Sequence, residues 1–113
     1  MIKIGNTTFL ISTPIPEGYN GKIAWLDGTK RWFRNGQLHR EDGPAVIWSN
    51  GLKEWYKNGK WHREGGPAVI YATGKKVWYQ NGKIHRVDGP AVIYPGGEKE
   101  WWNNNNLIHK EKP

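Results

Sequence analysis

Basic and aromatic side chains recur at a fixed spacing along this chain, and they are the residues best suited to binding chemistry. A Lys precedes a Trp by two residues at four places: Lys30 and Trp32, Lys53 and Trp55, Lys76 and Trp78, Lys99 and Trp101. Because side chains alternate between the two faces of a strand, each Lys and its Trp are expected on one face. Indole rings stack on nucleobases and cationic donors bind phosphate, so the pattern favours an anionic ligand.

The two central copies of this pattern supply the candidate ligand-binding residues, because a ligand there would touch neighbouring copies on both sides. These residues are Lys53, Trp55, Lys57, Arg63, Lys76, Trp78 and Arg86. Two structural alternatives stand beside this interpretation. The Trp residues can supply the buried area of a thin sheet, where an aromatic pair adds about 0.5–1.5 kcal/mol beyond area burial, and Lys stems can cover the rings. Trp and Arg can serve one site only if the Arg lies at a bend or a second copy completes the site.

Catalytic and metal-binding chemistry finds little support in the sequence. The chain has no Cys, its only serines are Ser12 and Ser49, and its carboxylates are spread evenly along it. No Gly-rich phosphate loop leads into a helix. Equivalent His residues would lie two strands apart, about 9.5 Å or more, which is too far for a shared metal ion. We therefore predict a non-enzymatic protein with no metal and no cofactor.

Smaller roles follow for the remaining polar residues. His39, His62 and His85 are expected to hydrogen-bond an adjacent Gly-containing turn. Asp42 and Asp88 each come directly before a Gly-Pro pair, which indicates turn residues or ion-pair partners of the neighbouring Arg.

These residues belong to a sequence repeat. The Asn-Gly pairs that begin at Asn35, Asn58 and Asn81 are 23 residues apart, and the same step relates the four Trp residues of the Lys and Trp pairs. The period defines four units, at residues 23–45, 46–68, 69–91 and 92–113. Such a period indicates stacked structural units. The fourth unit has one extra residue between Trp101 and His109, which is typical of a terminal unit that caps the stack.

Each unit has the pattern of a β-hairpin. In the second unit, the segments 45–48 and 53–57 are predicted strands, and Asn58-Gly59 predicts a type I′ turn. The sequence therefore predicts an all-β fold, an antiparallel meander of four 23-residue hairpin repeats forming an elongated twisted sheet. Residues 1–22 lie outside the repeat and predict a hairpin turned at Gly5-Asn6, followed by a Pro- and Gly-rich connector that caps the sheet.

The repeat resembles a known family. Its length, its two-strand unit and its core of Gly-Lys-x-His-x-x-x-Gly are similar to MORN repeats, and the wording Trp-Tyr-x-Asn-Gly-Lys-x-His-Arg-x-Asp-Gly-Pro-Ala-Val-Ile resembles the divergent MORN-type repeats of phage and large-virus proteins. The resemblance covers roughly residues 23–110. One departure is systematic, since Arg or Lys follows the His where MORN repeats have Gly. The resemblance implies an interaction or assembly module, some members being proposed to bind phospholipid, and not a catalyst.

Charge and composition complete the functional prediction. The chain carries a formal charge of +7, which favours anionic partners, and it shows neither a secretory signal nor an apolar run that could span a membrane. A cytoplasmic location follows as the expectation, within a host cell if the protein is viral. A thin sheet leaves apolar surface and an edge to cover, so we expect a homodimer.

Taken together, the residues and the resemblance predict a binding protein. It would sequester a phosphate-bearing nucleotide signal on its basic and aromatic surface, as a viral anti-defence protein does. The alternative is a protein–protein interaction module, either an inhibitor of a host protein or a self-assembling scaffold, because exposed Trp, Tyr and Arg also favour protein interfaces. A third class, membrane-surface or nonspecific nucleic-acid binding, would depend on net charge alone and weaken steeply with salt.

Overall fold

A computed structural model describes residues 2–4, 7–10 and 15–113, and all the regular structure in this part of the chain is β-strand. The first eight strands are β1 Ile2–Ile4, β2 Thr7–Leu10, β3 Gly21–Trp25, β4 Lys30–Arg34, β5 Gln37–Leu38, β6 Val46–Ile47, β7 Lys53–Glu54 and β8 Tyr56–Lys57. The remaining eight are β9 Lys60–Trp61, β10 Val69–Ile70, β11 Lys76–Val77, β12 Tyr79–Gln80, β13 Lys83–Ile84, β14 Val92–Ile93, β15 Lys99–Asn103 and β16 Asn106–Glu111.

One long sheet runs through the molecule, which measures 48 × 25 × 21 Å. Its strand order is β1-β2-β3-β4-β6-β7-β10-β11-β14-β15-β16, with β5 paired to β4, and two small sheets, β8-β9 and β12-β13, lie off this path. Neighbouring strands are antiparallel except for β2 and β3. The predicted all-β meander of hairpins is confirmed. The predicted N-terminal hairpin is also present as β1 and β2, while its Gly5-Asn6 turn lies outside the described residues.

The predicted second strand of each central unit, however, is interrupted at its Trp. Segment 53–57 forms β7 and β8, which are separated by Trp55, and Trp78 separates β11 from β12 in the same way. At this residue the chain changes partner, since the Trp55 N–H donates to the Ala68 carbonyl at the end of the same unit at 2.6 Å and its carbonyl accepts from the His62 N–H at 3.1 Å. The second half of each predicted strand therefore pairs within its own hairpin.

Cross-strand register separates the side chains of the main sheet into two rows. One row runs through Val46, Glu54, Val69, Val77 and Val92, all buried. The neighbouring row alternates Ile and Lys, in the order Ile47, Lys53, Ile70, Lys76, Ile93 and Lys99, with every Lys exposed. The Val row and the aromatic residues packed on it, including Trp61, Tyr79 and Trp102, form the core. The face opposite the Lys and Trp pattern is thus the buried one.

The hairpin turns connect each unit to the one before it. Asn58 and Gly59 have φ of 51° and 79°, as a type I′ turn requires, and the Gly59 N–H donates to the Leu38 carbonyl at 2.9 Å. The same bonds join the connector to the first unit, where the Tyr19 carbonyl accepts from the Gly36 N–H at 2.8 Å and Asn20 Oδ1 accepts from the Asn35 N–H at 2.9 Å. The connector therefore takes the place of a preceding hairpin.

The C-terminal strand is the last strand at the other end of the stack of units. β16 pairs with β15 along its length, and the register shifts between Trp101, which pairs with His109, and Trp102, which pairs with Leu107. Ile108 is the extra residue between these pairs, so the additional residue of the fourth unit is accommodated as an irregularity in the ladder. Asn104 and Asn105 form the turn with φ of 46° and 69°.

Candidate binding grooves between the His-Arg loops

A loop follows the hairpin in each of the first three units, at residues 39–44, 62–67 and 85–90; we call these the first, second and third His-Arg loops. The His at the start of each loop contacts the next hairpin turn. His39 Nδ1 accepts from the Asn58 N–H at 3.0 Å, and His62 Nδ1 accepts from the Asn81 N–H at 3.0 Å. The predicted hydrogen bond from His to an Asn-Gly turn is confirmed, and it ties each unit to the following one.

The other ring nitrogen of the His contacts a carboxylate in the first two loops. His39 Nε2 lies 2.6 Å from Glu41 Oε1, and His62 Nε2 lies 2.7 Å from Glu64 Oε1. Because Nδ1 accepts, Nε2 must carry the proton that is donated to the carboxylate. These hydrogen bonds are the main reason that the pKa values of the Glu41 and Glu64 carboxyl groups lie below their usual range. The third loop has Val87 at this position.

The Arg after each His stacks on the Trp of its own unit. The distances from the guanidinium carbon to the ring centroid are 3.9 Å for Arg40 over Trp32, 4.0 Å for Arg63 over Trp55 and 4.1 Å for Arg86 over Trp78. Each guanidinium also donates through Nη1 to the Pro carbonyl of its loop, at 2.9–3.1 Å. The Gly before each Pro leaves room for this arrangement, because a Cβ on Gly66 would lie 2.8 Å from the Arg63 guanidinium carbon.

A carboxylate completes this arrangement in two of the three loops. Arg40 Nε donates to Asp42 Oδ1 at 3.0 Å, and Arg86 Nε donates to Asp88 Oδ1 at 3.0 Å. The predicted pairing of these Asp residues with the neighbouring Arg is confirmed. The second loop has Gly65 at the equivalent position, so Arg63 Nε has no carboxylate partner among the described residues. Burial lowers the pKa of Arg63 from its ordinary value.

Two grooves lie between successive loops, and they are related by the 23-residue step. The first groove encloses about 440 Å³ and is lined by Arg40, Lys57, Arg63, Glu41, Asp42, Glu64, Trp55, Tyr56, His62 and Gly43. The second encloses about 470 Å³ and is lined by Arg63, Arg86, Glu64, Asp88, Trp78, Gln80, His85, Gly65, Gly66, Pro67 and Val87. Both volumes fall within the range of small-molecule sites. Arg63 and Glu64 line both grooves.

The grooves carry balanced charge despite the basic character of the whole chain. The first groove contains three cationic side chains and three carboxylates, and the second contains two cationic side chains and two carboxylates. Since Asp42 and Asp88 are already bonded to Arg40 and Arg86, Arg63 is the groove Arg whose Nε has no carboxylate partner in the described part of the chain. The mixed lining offers both donors and acceptors to a ligand.

Five of the seven predicted binding residues line a groove, and two do not. Trp55, Lys57 and Arg63 line the first groove, and Arg63, Trp78 and Arg86 line the second. Lys53 and Lys76 lie in the alternating Ile and Lys row and line neither groove. Each groove Trp has one ring face covered by the Arg of its own unit. The Trp and the Arg can line the same groove because the Arg lies on a loop. Such a bend was required by the sequence pattern if both residues were to serve one site.

Sequence reasoning did not select the other lining residues for binding, among them Arg40, Tyr56, Glu64 and Gln80. A signal for the site was nevertheless present. The second loop reads Glu-Gly where the first reads Glu-Asp and the third reads Val-Asp, and a departure within a strict repeat marks the unit whose chemistry differs.

The opposite face holds a buried polar cluster. Glu54 is 7% exposed and accepts from Trp48 Nε1 at 2.6 Å, Trp61 Nε1 at 2.9 Å and the Tyr56 hydroxyl at 3.2 Å. Burial and the adjacent Glu54 charge raise the pKa of Tyr56 to about 12. Nearby, the Arg31 guanidinium lies between the rings of Trp25 and Trp48, at 4.8 and 4.9 Å. These contacts account for the buried Glu54 carboxylate without a ligand, whereas the buried Arg31 Nε has no hydrogen-bond partner among the described residues.

Comparisons with known proteins find no match. No family model matches the chain, and no curated protein matches it. No three His, Cys, Asp or Glu residues in the described ranges are placed to hold a metal ion. The same part of the chain contains no helix long and apolar enough to cross a membrane.

Proposed function

We propose that this protein is a non-enzymatic binding protein that holds a phosphate-bearing nucleotide in the grooves between its His-Arg loops. The observation that carries the proposal is the pair of grooves related by one repeat, with Arg63 shared between them. A guanidinium binds phosphate through charge-assisted hydrogen bonds, which are about twice as strong as neutral ones. The shared Arg places such a donor at the centre of the loop face.

The mixed lining favours a nucleotide over a simple polyanion. A nucleotide combines phosphate oxygens, which need cationic donors, with sugar hydroxyls and base N–H groups, which need acceptors. Arg63 and Lys57 supply the first kind of contact, and the Glu64 carboxylate supplies the second. The aromatic walls at Trp55 and Trp78 provide apolar surface for the base. Net charge alone would favour any anion, whereas this lining selects for ligands that also donate.

The resemblance to MORN-type repeats of phage and large-virus proteins extends this proposal to a biological role. A small binding protein of this kind, present in the cytoplasm of an infected cell, would act against host defence by sequestering a nucleotide signal. The role depends on the family resemblance and on the nucleotide proposal together.

Calorimetric titration with linear and cyclic nucleotides tests the proposal. We expect at least one nucleotide to bind the wild type, and Trp78→Ala to weaken its binding by about 1–3 kcal/mol, the range for losing an aromatic contact to a base. Trp101→Ala is the matched control, because Trp101 occupies the same repeat position, lines neither groove and packs on His109. If no nucleotide in the panel binds, the proposal is wrong.

A protein–protein interaction module is the second candidate, and the balanced charge of the grooves favours it. Interfaces between proteins pair cations with carboxylates across the contact. The exposed Lys row beside Ile47, Ile70 and Ile93 adds a second surface of mixed character. A host protein that binds the wild type but not Lys53→Glu/Lys76→Glu, with unchanged nucleotide affinity, would establish this function.

The homodimer remains a prediction, and the end of the sheet supports it. β16 is the last strand in the sheet order, and all six of its residues are exposed. An unpaired strand edge is a site for pairing with another chain. We expect light scattering at micromolar concentration to give the mass of a dimer; a monomer would contradict this prediction.

A further inference from the structure

The three His-Arg loops repeat one arrangement around a guanidinium, and the second loop lacks one component of it. In the first and third loops, Nε of the Arg donates to an Asp and Nη1 donates to a Pro carbonyl. In the second loop, the Arg63 guanidinium donates to the Pro67 carbonyl at 3.1 Å, and no carboxylate of the described residues bonds to its Nε. The difference follows directly from Gly65, which has no side chain to supply the carboxylate.

We propose that Arg63 is an oxyanion subsite in which a phosphate group of the ligand takes the place that an Asp carboxylate occupies in the other two loops. This inference depends on the proposed function and specifies which atoms hold the phosphate. The anion would accept from Nε of Arg63, as Asp42 accepts from Arg40. A phosphate oxygen and a carboxylate oxygen accept this bond with similar geometry.

Space and preorganisation support the assignment. A Cβ built on Gly65 would meet no atom within 4 Å, so the region beside this residue is open. The guanidinium itself is fixed, because the Trp55 ring lies 4.0 Å away on one side and Gly66 packs closely against it. A side chain that is already held in place loses little conformational entropy when it binds a ligand.

One oxygen of the carboxylate beside Arg63 is already hydrogen-bonded within the loop. Glu64 lines both grooves, and its Oε1 accepts from His62 Nε2 at 2.7 Å. Gly65 lines the second groove together with Arg63, so the phosphate would bind from that groove.

Exchanging the loop residues tests the subsite on the full-length protein. Gly65→Asp would introduce a carboxylate two residues after Arg63, on a backbone with φ of 76° that Asp42 and Asp88 do not share. Gly65→Asn is the matched neutral control, because Asn and Asp both tolerate such a conformation better than most residues. Inorganic phosphate, a nucleoside monophosphate and the corresponding nucleoside serve as probes. The readouts are calorimetric affinity and the NMR resonance of the Arg63 Nε–H group.

We expect phosphate and the nucleoside monophosphate to shift the Arg63 resonance, and the nucleoside to leave it unmoved. Gly65→Asp should weaken binding of the monophosphate by about tenfold or more, whereas Gly65→Asn should change it less than threefold. The converse variant, Asp42→Gly, should make the Arg40 Nε–H respond to phosphate as well. This arm also decides the matter if Gly65→Asp fails to fold.

The outcomes separate this inference from the proposed function. An Arg63 resonance that phosphate does not move, or equal losses in Gly65→Asp and Gly65→Asn, would overturn the subsite even if nucleotides bind the grooves. If phosphate shifts Arg63 but the monophosphate binds no more tightly than phosphate, the subsite stands and the nucleotide proposal is wrong.

Discussion

The two faces of the sheet differ in how the side chains of the repeat pack. On the closed face, formed by the Val46, Glu54, Val69, Val77 and Val92 row and the rings packed on it, the side chains are buried and in contact. On the loop face, formed by the three His-Arg loops and the two grooves, side chains contact one another within a loop and leave open volume between loops. The packed side chains of the closed face form one continuous surface, whereas the loop face is divided into two grooves.

Departures from the repeat have different consequences on the two faces. On the closed face, Glu54 stands where the third unit has Val77, and its second-unit neighbours Trp48 and Trp61 donate to it where the third unit has Tyr71 and Ile84. On the loop face, Gly65 replaces an Asp and no other described residue takes over its bond. On the closed face the Glu54 carboxylate is compensated by new donors, whereas on the loop face the missing Asp leaves Arg63 Nε without a carboxylate partner among the described residues.

The largest expected effect tests the compensation on the closed face. Glu54→Val should reduce the free energy of unfolding by about 3 kcal/mol, because two indole N–H groups and the Tyr56 hydroxyl lose their buried acceptor. Urea denaturation measures the loss. The triple variant Trp48→Tyr/Glu54→Val/Trp61→Ile, which transplants the third unit's residues, should recover part of it; no recovery would show that the two units are not interchangeable.

The next effect concerns the packing of the loop face. Gly66→Ala should destabilise by about 1–2 kcal/mol, because the new methyl group would displace the Arg63 guanidinium from the Trp55 ring and from the Pro67 carbonyl. In the Arg63→Ala background the same substitution should cost much less. A double-mutant cycle measured by chemical denaturation checks this coupling, and additive effects would contradict the role assigned to the glycine.

A smaller effect is expected at a hairpin turn, which both faces share. Gly59→Val should destabilise by about 1–2 kcal/mol, because Gly59 has φ of 79° and a β-branched residue resists this conformation. Gly59→Asn should lose less, since Asn already occupies positive φ at Asn58 in the same turn. Thermal denaturation of the two variants compares them; equal losses would exclude backbone strain as the cause.

The smallest effect is a pH dependence that belongs to the closed face. The pKa of Tyr56 is raised to about 12, whereas an unfolded Tyr titrates near about 10. The unfolded chain therefore releases this proton first, so stability should fall as pH rises from about 10 to about 12. Ultraviolet titration should show a late tyrosine that Tyr56→Phe removes. Tyr71→Phe is the control, and a titration unchanged by Tyr56→Phe would contradict the assignment.

Much of the fold could be predicted from the sequence because it is encoded by local signals that repeat. Each Asn-Gly pair fixes a hairpin turn through its backbone preference alone, and the 23-residue period fixes the order of the hairpins. The roles of His39 and Asp42 were also predictable, since His39 contacts a turn that the sequence already locates and Asp42 contacts the neighbouring Arg40. The N-terminal hairpin follows from the same type of local pattern.

The tertiary structure decided which face is buried, where the strands break and how the grooves form. Alternation along a strand assigns side chains to two faces but does not say which face is covered, because Trp and Tyr suit both. The break at Trp55 arises from hydrogen bonds to Ala68 at the far end of its unit and to His62 beyond the turn. The stacking of Arg63 on Trp55 depends on the path of a loop, and local sequence preference does not specify that path.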